Sequence, residues 1–131
     1  MDTQEQPTAI AIAVVRQTDC VLIGLRPAGK PLAGYWEFPG GKIGSDESPG
    51  EAAVRECCEE TGLRIRVART IAVVDHRYEH ETLRLHFVEA LSTEAESQPH
   101  LPFRWVPIAE LDKYPFPPAN AGVLETLKAG R

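Results

Sequence analysis

Hydrophobic and polar positions change rhythm several times along this chain. Residues 8–16, TAIAIAVVR, form a run of Ile, Val and Ala that reads as a strand buried on both faces. Residues 20–26, CVLIGLR, read as a second strand, and Gln17-Thr18-Asp19 between them predicts a hairpin turn. Pro27 to Gly34 is a Pro/Gly-rich loop, followed by a short extended piece from Tyr35 to Phe38 that runs into Pro39-Gly40-Gly41. The period then changes. Ser48-Pro49-Gly50-Glu51 spells a capping box with proline at the first helical position, and Gly62 supplies a left-handed C-terminal cap, so a helix is predicted from Pro49 to Thr61. Residues 64–75, 82–91 and Phe103 to Val106 read as further strands, Ala109 to Asp112 as a helical turn, and 119–129 as a final helix. Strands, a helix, more strands and a terminal helix make a mixed α/β sandwich.

On a wheel of about 100° per residue, Ala53, Val54, Cys57, Cys58 and Thr61 share one face, the expected core stripe. Both cysteines are read as small buried hydrophobes. Glu56, Glu59 and Glu60 gather on the other side with Ala52. Glu56 and Glu60 are four residues apart and repel. Glu59 and Glu60 occupy the last turn, where the helix dipole disfavours anions by about 0.3–1 kcal/mol each. Arg55 offsets this only through a contact with Glu59, four residues on. Such repeated local conflict marks a functional site. Three carboxylates without His or thiolate suit a hard cation: Mg²⁺ first, then Mn²⁺ or Ca²⁺. Gly40-Gly41 can bring backbone carbonyls to the same ion, and Glu47 can approach from another direction. Mg²⁺ held by few carboxylates commonly takes phosphate oxygens and waters as its other ligands. This points to phosphoryl chemistry with a glutamate as general base.

Composition narrows the field. The chain has 131 residues, the size of one domain spanning 1–131. A net charge of −5 argues against polymeric nucleic acid as a partner but leaves room for a single nucleotide. MDTQEQPTAI has no basic-then-apolar leader, and the longest apolar run, Ala9 to Val15, is too short to span a bilayer. Cys20, Cys57 and Cys58 are odd in number and lack C-x-x-C spacing. No disulfide framework or zinc site is expected, and neither is a membrane partner; a cytoplasmic protein with reduced thiols is. His76, His80 and His86 lie in strand or turn and are read as non-ligands. No feature sets an oligomeric state.

Gly41, Glu47, Arg55, Glu56, Glu59, Glu60 and Gly62 stand at the spacing of the Nudix box, and the chain resembles the Nudix hydrolases of the MutT type. Two positions depart from the usual pattern: Cys57 replaces an aliphatic residue, and Gly44 a frequent glutamate. The resemblance implies an α/β/α sandwich with a mixed β-sheet. It also implies Mg²⁺-dependent hydrolysis of a nucleoside diphosphate linked to another moiety. Carried over by position, Glu56, Glu59, Glu60 and the Gly40 carbonyl are the metal group. Arg55 orients these carboxylates, and Glu56 or Glu47 is the base. MutT-type enzymes use a further glutamate from a later loop; the aligned residue is His100, with Glu96 as an alternative.

The stretch Trp36-Glu37-Phe38-Pro39-Gly40-Gly41-Lys42 and the tail Tyr-Pro-Phe-Pro-Pro-Ala-Asn (114–120) are similar to MutT-type segments. This makes Arg26, Glu37, Phe38, Pro39, Gly40 and Asn120 the expected substrate contacts. Pro31 stands where MutT has a histidine. In MutT-type enzymes acting on 8-oxo-dGTP, the tail asparagine reads the oxidised base. An Asn amide can accept from N7–H and donate to O6, a pairing that normal guanine cannot complete. Asn120 can instead simply cap a helix. The expected reaction is conversion of 8-oxo-dGTP to the monophosphate and pyrophosphate. The alternatives are another nucleoside triphosphate, ADP-ribose or a dinucleotide as substrate, or a non-catalytic nucleotide-binding domain.

Overall fold

The computed structural model describes residues 6–94 and 97–130. Its strands are β1 (Thr8–Gln17), β2 (Cys20–Leu25), β3 (Trp36–Glu37), β4 (Gly40–Lys42), β5 (Ile65–Arg77), β6 (Thr82–Ser92) and β7 (Phe103–Pro107). Its α-helices are α1 (Pro49–Thr61) and α2 (Ala121–Lys128). Short 3₁₀ turns cover Ile108–Lys113 and Pro118–Asn120. The final helix is therefore shorter than expected, because its first residues, from Pro118, wind as 3₁₀.

One mixed sheet runs β3-β2-β1-β6-β5, with β4 also on β1 and β7 also on β2. β1 and β6 are parallel, from Thr8↔Leu83 to Arg16↔Leu91; the other pairs are antiparallel. The hairpin turn has Thr18 at φ 51°, and β1 meets β2 only at Arg16↔Val21 and Gln17↔Cys20. Nearer its start, β1 gives that same edge to β4, with Ala11 opposite Gly41 and Ile12 opposite Gly40. β4 carries no strand pattern of its own, because two of its three residues are glycines.

Alternation along β1 feeds two cores. Ala11, Ala13 and Val15 pack with Leu22, Val88 and α1 residues Ala53 and Cys57. Val14 packs on the opposite face with Ile23, Phe87, Val106 and α2 residues Val123 and Leu127. The result is the expected α/β/α sandwich with a mixed sheet. Among the described residues no helix is long and apolar enough to cross a membrane.

α1 starts and stops where its local chemistry dictates. The Ser48 hydroxyl accepts from the Glu51 N–H at 3.1 Å, and Glu51 accepts from the Ser48 N–H at 2.9 Å. Gly62 closes the helix at φ 79°, its N–H donating to Cys58 O. The buried stripe is Ala52, Ala53, Cys57 and Thr61, and Cys58 is exposed. This corrects the expected stripe by roughly one residue. The helix rolls its Ala52 side onto the sheet, and that roll draws Glu56 and Glu60 down with it.

Candidate active site

Three elements converge at the end of β4. Gly40 donates its N–H to Glu60 Oε1 at 3.3 Å. A Cβ on Gly41 would lie 2.4 Å from the Glu56 carboxyl carbon, and one on Gly40 would lie 2.4 Å from the Ala11 carbonyl oxygen. At Gly40 the β1 backbone leaves no room for a side chain, and at Gly41 the carboxylate of Glu56 occupies the space that a side chain would take.

Arg55 organises the carboxylates around it. Its Nε donates to Glu47 Oε2 at 2.6 Å and its Nη2 to Glu47 Oε1 at 2.9 Å, a two-point pairing. Nη1 reaches Glu56 Oε2 at 3.0 Å and Glu59 Oε1 at 3.3 Å, and Nη2 also meets Lys42 O. The hydrogen bond from Arg55, helped by the Gly44 N–H, lowers the Glu47 carboxyl to about 2. Glu60 moves the other way: burial raises it well above the usual carboxylate range. The Gly40 N–H opposes that rise, and the neighbouring Glu56 adds to it. Two carboxylates this close favour a shared proton or a cation between them. Burial pushes the Cys57 thiol up to about 11, so it is a packing group rather than a nucleophile.

Glu59 stands apart from this pair, its side chain 59% exposed. Among the described residues no three His, Cys, Asp or Glu side chains are close enough to hold a metal as they stand. The donor set still fits a hard cation: Glu56 and Glu60 supply paired oxygens beside a glycine cradle, and Arg55 tethers Glu59 to the same cluster.

A cavity of about 260 Å³ opens beside the cradle. Arg26, Glu37, Phe38, Gly40 and Asn120 line it, and so do Leu32, Trp36 and Tyr78. Leu32 and Tyr78 carried no local signal; their places follow from loop and hairpin geometry. Arg26 Nη1 pairs with Glu37 Oε1 at 2.5 Å. Pro39 is not in the lining: it is buried, and its carbonyl accepts from the Ala13 N–H. Asn120 holds the N-cap position of α2 without capping it. Its Nδ2 donates to Pro117 O at 3.2 Å, and among the described residues no donor reaches its Oδ1.

His100 sits just past the last turn of α1, the turn that carries Glu59 and Glu60. Its Nε2 would be 2.6 Å from a Cβ on Gly62, and its N–H bonds Thr61 O, which places it at the C-terminal end of α1. Glu96 falls outside the described residues. His76 stacks edge-on against Tyr78 at 4.5 Å, and His80 is 88% exposed.

Residues 10–126 match the family model described as the NUDIX domain. The chain is 32% identical over 124 residues to a CTP pyrophosphohydrolase of Escherichia coli, covering 93% of this chain and 92% of the relative. It is 33% identical over 122 residues to the 8-oxo-dGTP diphosphatase of the same organism, covering 91% and 95%. The solution structure of the Escherichia coli ORF135 protein superposes with a TM-score of 0.78 at 28% identity, covering 96% and 94%. The chain belongs to the Nudix family and is a Nudix hydrolase of the MutT type.

Proposed function

We propose that the enzyme hydrolyses a nucleoside triphosphate, 8-oxo-dGTP first, to the monophosphate and pyrophosphate. The observation that carries the choice of base is Asn120. It lines the cavity, caps nothing, and keeps Oδ1 available to accept N7–H of an oxidised guanine. Leaving that acceptor unpaired against normal guanine is the kind of loss that gives strong discrimination. Glu56, Glu60 and the Gly40 carbonyl, with Glu59 swinging in from Arg55, would hold Mg²⁺ or, second, Mn²⁺. When bound, the ion neutralises phosphate charge and lowers the barrier to attack by water. Arg55 fixes the carboxylates. Glu47, acidic and engaged at both oxygens, is a weak base, so Glu56 is the better candidate to take the proton from the attacking water.

The CTP pyrophosphohydrolase relative makes a pyrimidine triphosphate the second reading. One panel decides: 8-oxo-dGTP, dGTP, CTP, ADP-ribose and NADH, each with Mg²⁺, Mn²⁺ or chelator. The expected result is a preference for 8-oxo-dGTP over dGTP of at least about 100-fold in kcat/KM, lost with chelator. Equal rates on the two guanine nucleotides would overturn the choice of base.

A further inference from the structure

Behind the strip from Glu37 to Gly40 the surface dips again, into a cavity of about 440 Å³ lined by Arg26, Lys30, Glu37, Gly40, Glu60 and Phe103. Arg26, Glu37 and Gly40 border both cavities, so the two adjoin as neighbouring arms at the glycine cradle. The loop between β2 and β3 straddles them: Leu32 faces the first and Lys30 the second.

This loop is tied in place. Lys30 N–H bonds Pro27 O at 3.4 Å, Ala33 N–H bonds Lys30 O at 3.1 Å, and Tyr35 N–H bonds Leu32 O at 3.1 Å. Arg26 Nε clasps Pro31 O at 2.8 Å. Charge in the second arm is uneven. Arg26 is already neutralised by Glu37. Among the described residues no carboxylate lies in ion-pair reach of the Lys30 ammonium. The aromatic residue of the lining, Phe103, is 5% exposed, so no open ring face is offered on which a second base could stack. A compact, hydrated cation on a flexible stem, beside the carboxylates of the cradle, suits a phosphate group as a point charge.

Resting on the triphosphate reading above, we infer that the second arm receives the distal phosphates of the substrate. Lys30 is the cation that holds them, which makes it a determinant of triphosphate over diphosphate and dinucleotide substrates. A nucleotide with its base at Asn120 and its scissile region at Glu56 and Glu60 has its remaining phosphates directed into this arm. Pyrophosphate leaves from it.

The test compares wild type, Lys30→Ala and Lys30→Arg. Steady-state kinetics use the preferred nucleoside triphosphate and its diphosphate, and inorganic pyrophosphate binding is measured by calorimetry. Lys30→Ala is expected to raise KM for the triphosphate about 5–20-fold, with the loss falling on KM rather than kcat. Pyrophosphate affinity weakens by a similar factor, the diphosphate KM moves less than about twofold, and Lys30→Arg recovers most of each loss. Unchanged pyrophosphate affinity in Lys30→Ala would overturn the inference, as would equal losses on triphosphate and diphosphate. If wild type turns over no triphosphate, the substrate reading fails on its own, and the pyrophosphate measurement still decides the role of Lys30.

Discussion

Gly40 and Gly41 are adjacent but have different obligations. A methyl group on Gly40 meets the Ala11 backbone oxygen at 2.4 Å, and backbone within a sheet cannot yield. Gly40→Ala should therefore lower stability by about 1–3 kcal/mol, read as a shift in the urea midpoint. A methyl group on Gly41 meets a carboxylate instead. Glu56 can rotate away, so Gly41→Ala should fold nearly as wild type while kcat/KM falls about 100-fold or more through misplacement of that group. Wild-type turnover in the Gly41 variant would remove Glu56 from the chemistry. Both glycines are visible in the sequence, but the different neighbours they face are not, because Ala11 and Glu56 come from distant parts of the chain.

At the level of elements, legibility follows locality. α1 could be bounded from the sequence because its cap, its proline and its terminal glycine all lie within it. Its roll could not, since the burial of Ala52 in place of Cys58 depends on how close β4 lies beneath. The spacing of the glutamates announced the cluster; the separation of Glu59 from the Glu56–Glu60 pair depends on the reach of Arg55. The tail that carries Asn120 is fastened by contacts no window of sequence contains. Trp36 N–H bonds Pro115 O at 2.8 Å. Trp36 meets Tyr114 edge-on at 4.8 Å, and Phe38 packs on Phe116 at 5.1 Å. Arg104 lies 5.1 Å from the Trp36 ring and 5.7 Å from that of Tyr114. Removing the second ring with Tyr114→Leu should cost about 0.5–1.5 kcal/mol. The larger effect should be a narrowed ratio of kcat/KM between 8-oxo-dGTP and dGTP, because Asn120 rides on this strap. An unchanged ratio would show that Asn120 is positioned by α2 alone.

For the molecule as a whole, Glu89 fastens the middle of the sheet. It lies on β6 and takes Arg16 Nη1 of β1 at 3.2 Å and Arg69 Nε of β5 at 2.8 Å. Burial alone would raise its carboxyl, but the two guanidinium hydrogen bonds outweigh that and hold it below the ordinary range. A lowered folded value stabilises above the unfolded pKa of about 4.3 and is lost as pH falls through the folded value. Glu89→Gln should therefore cost about 1–3 kcal/mol at neutral pH. The gap to wild type should hold above the unfolded value of about 4.3 and close as pH falls on through the lowered folded value. A gap independent of pH would mean that packing, not charge, sets the loss. The parallel pairing of β1 with β6 has a consequence in time. Thr8 must wait for Leu83, roughly 75 residues further along the chain, and such distant partners slow the search for the native topology. During synthesis the first hairpin must stay tethered and incomplete until β6 has cleared the ribosome. A nascent chain arrested before Thr82 should be digested readily by protease, and the full-length chain much less so.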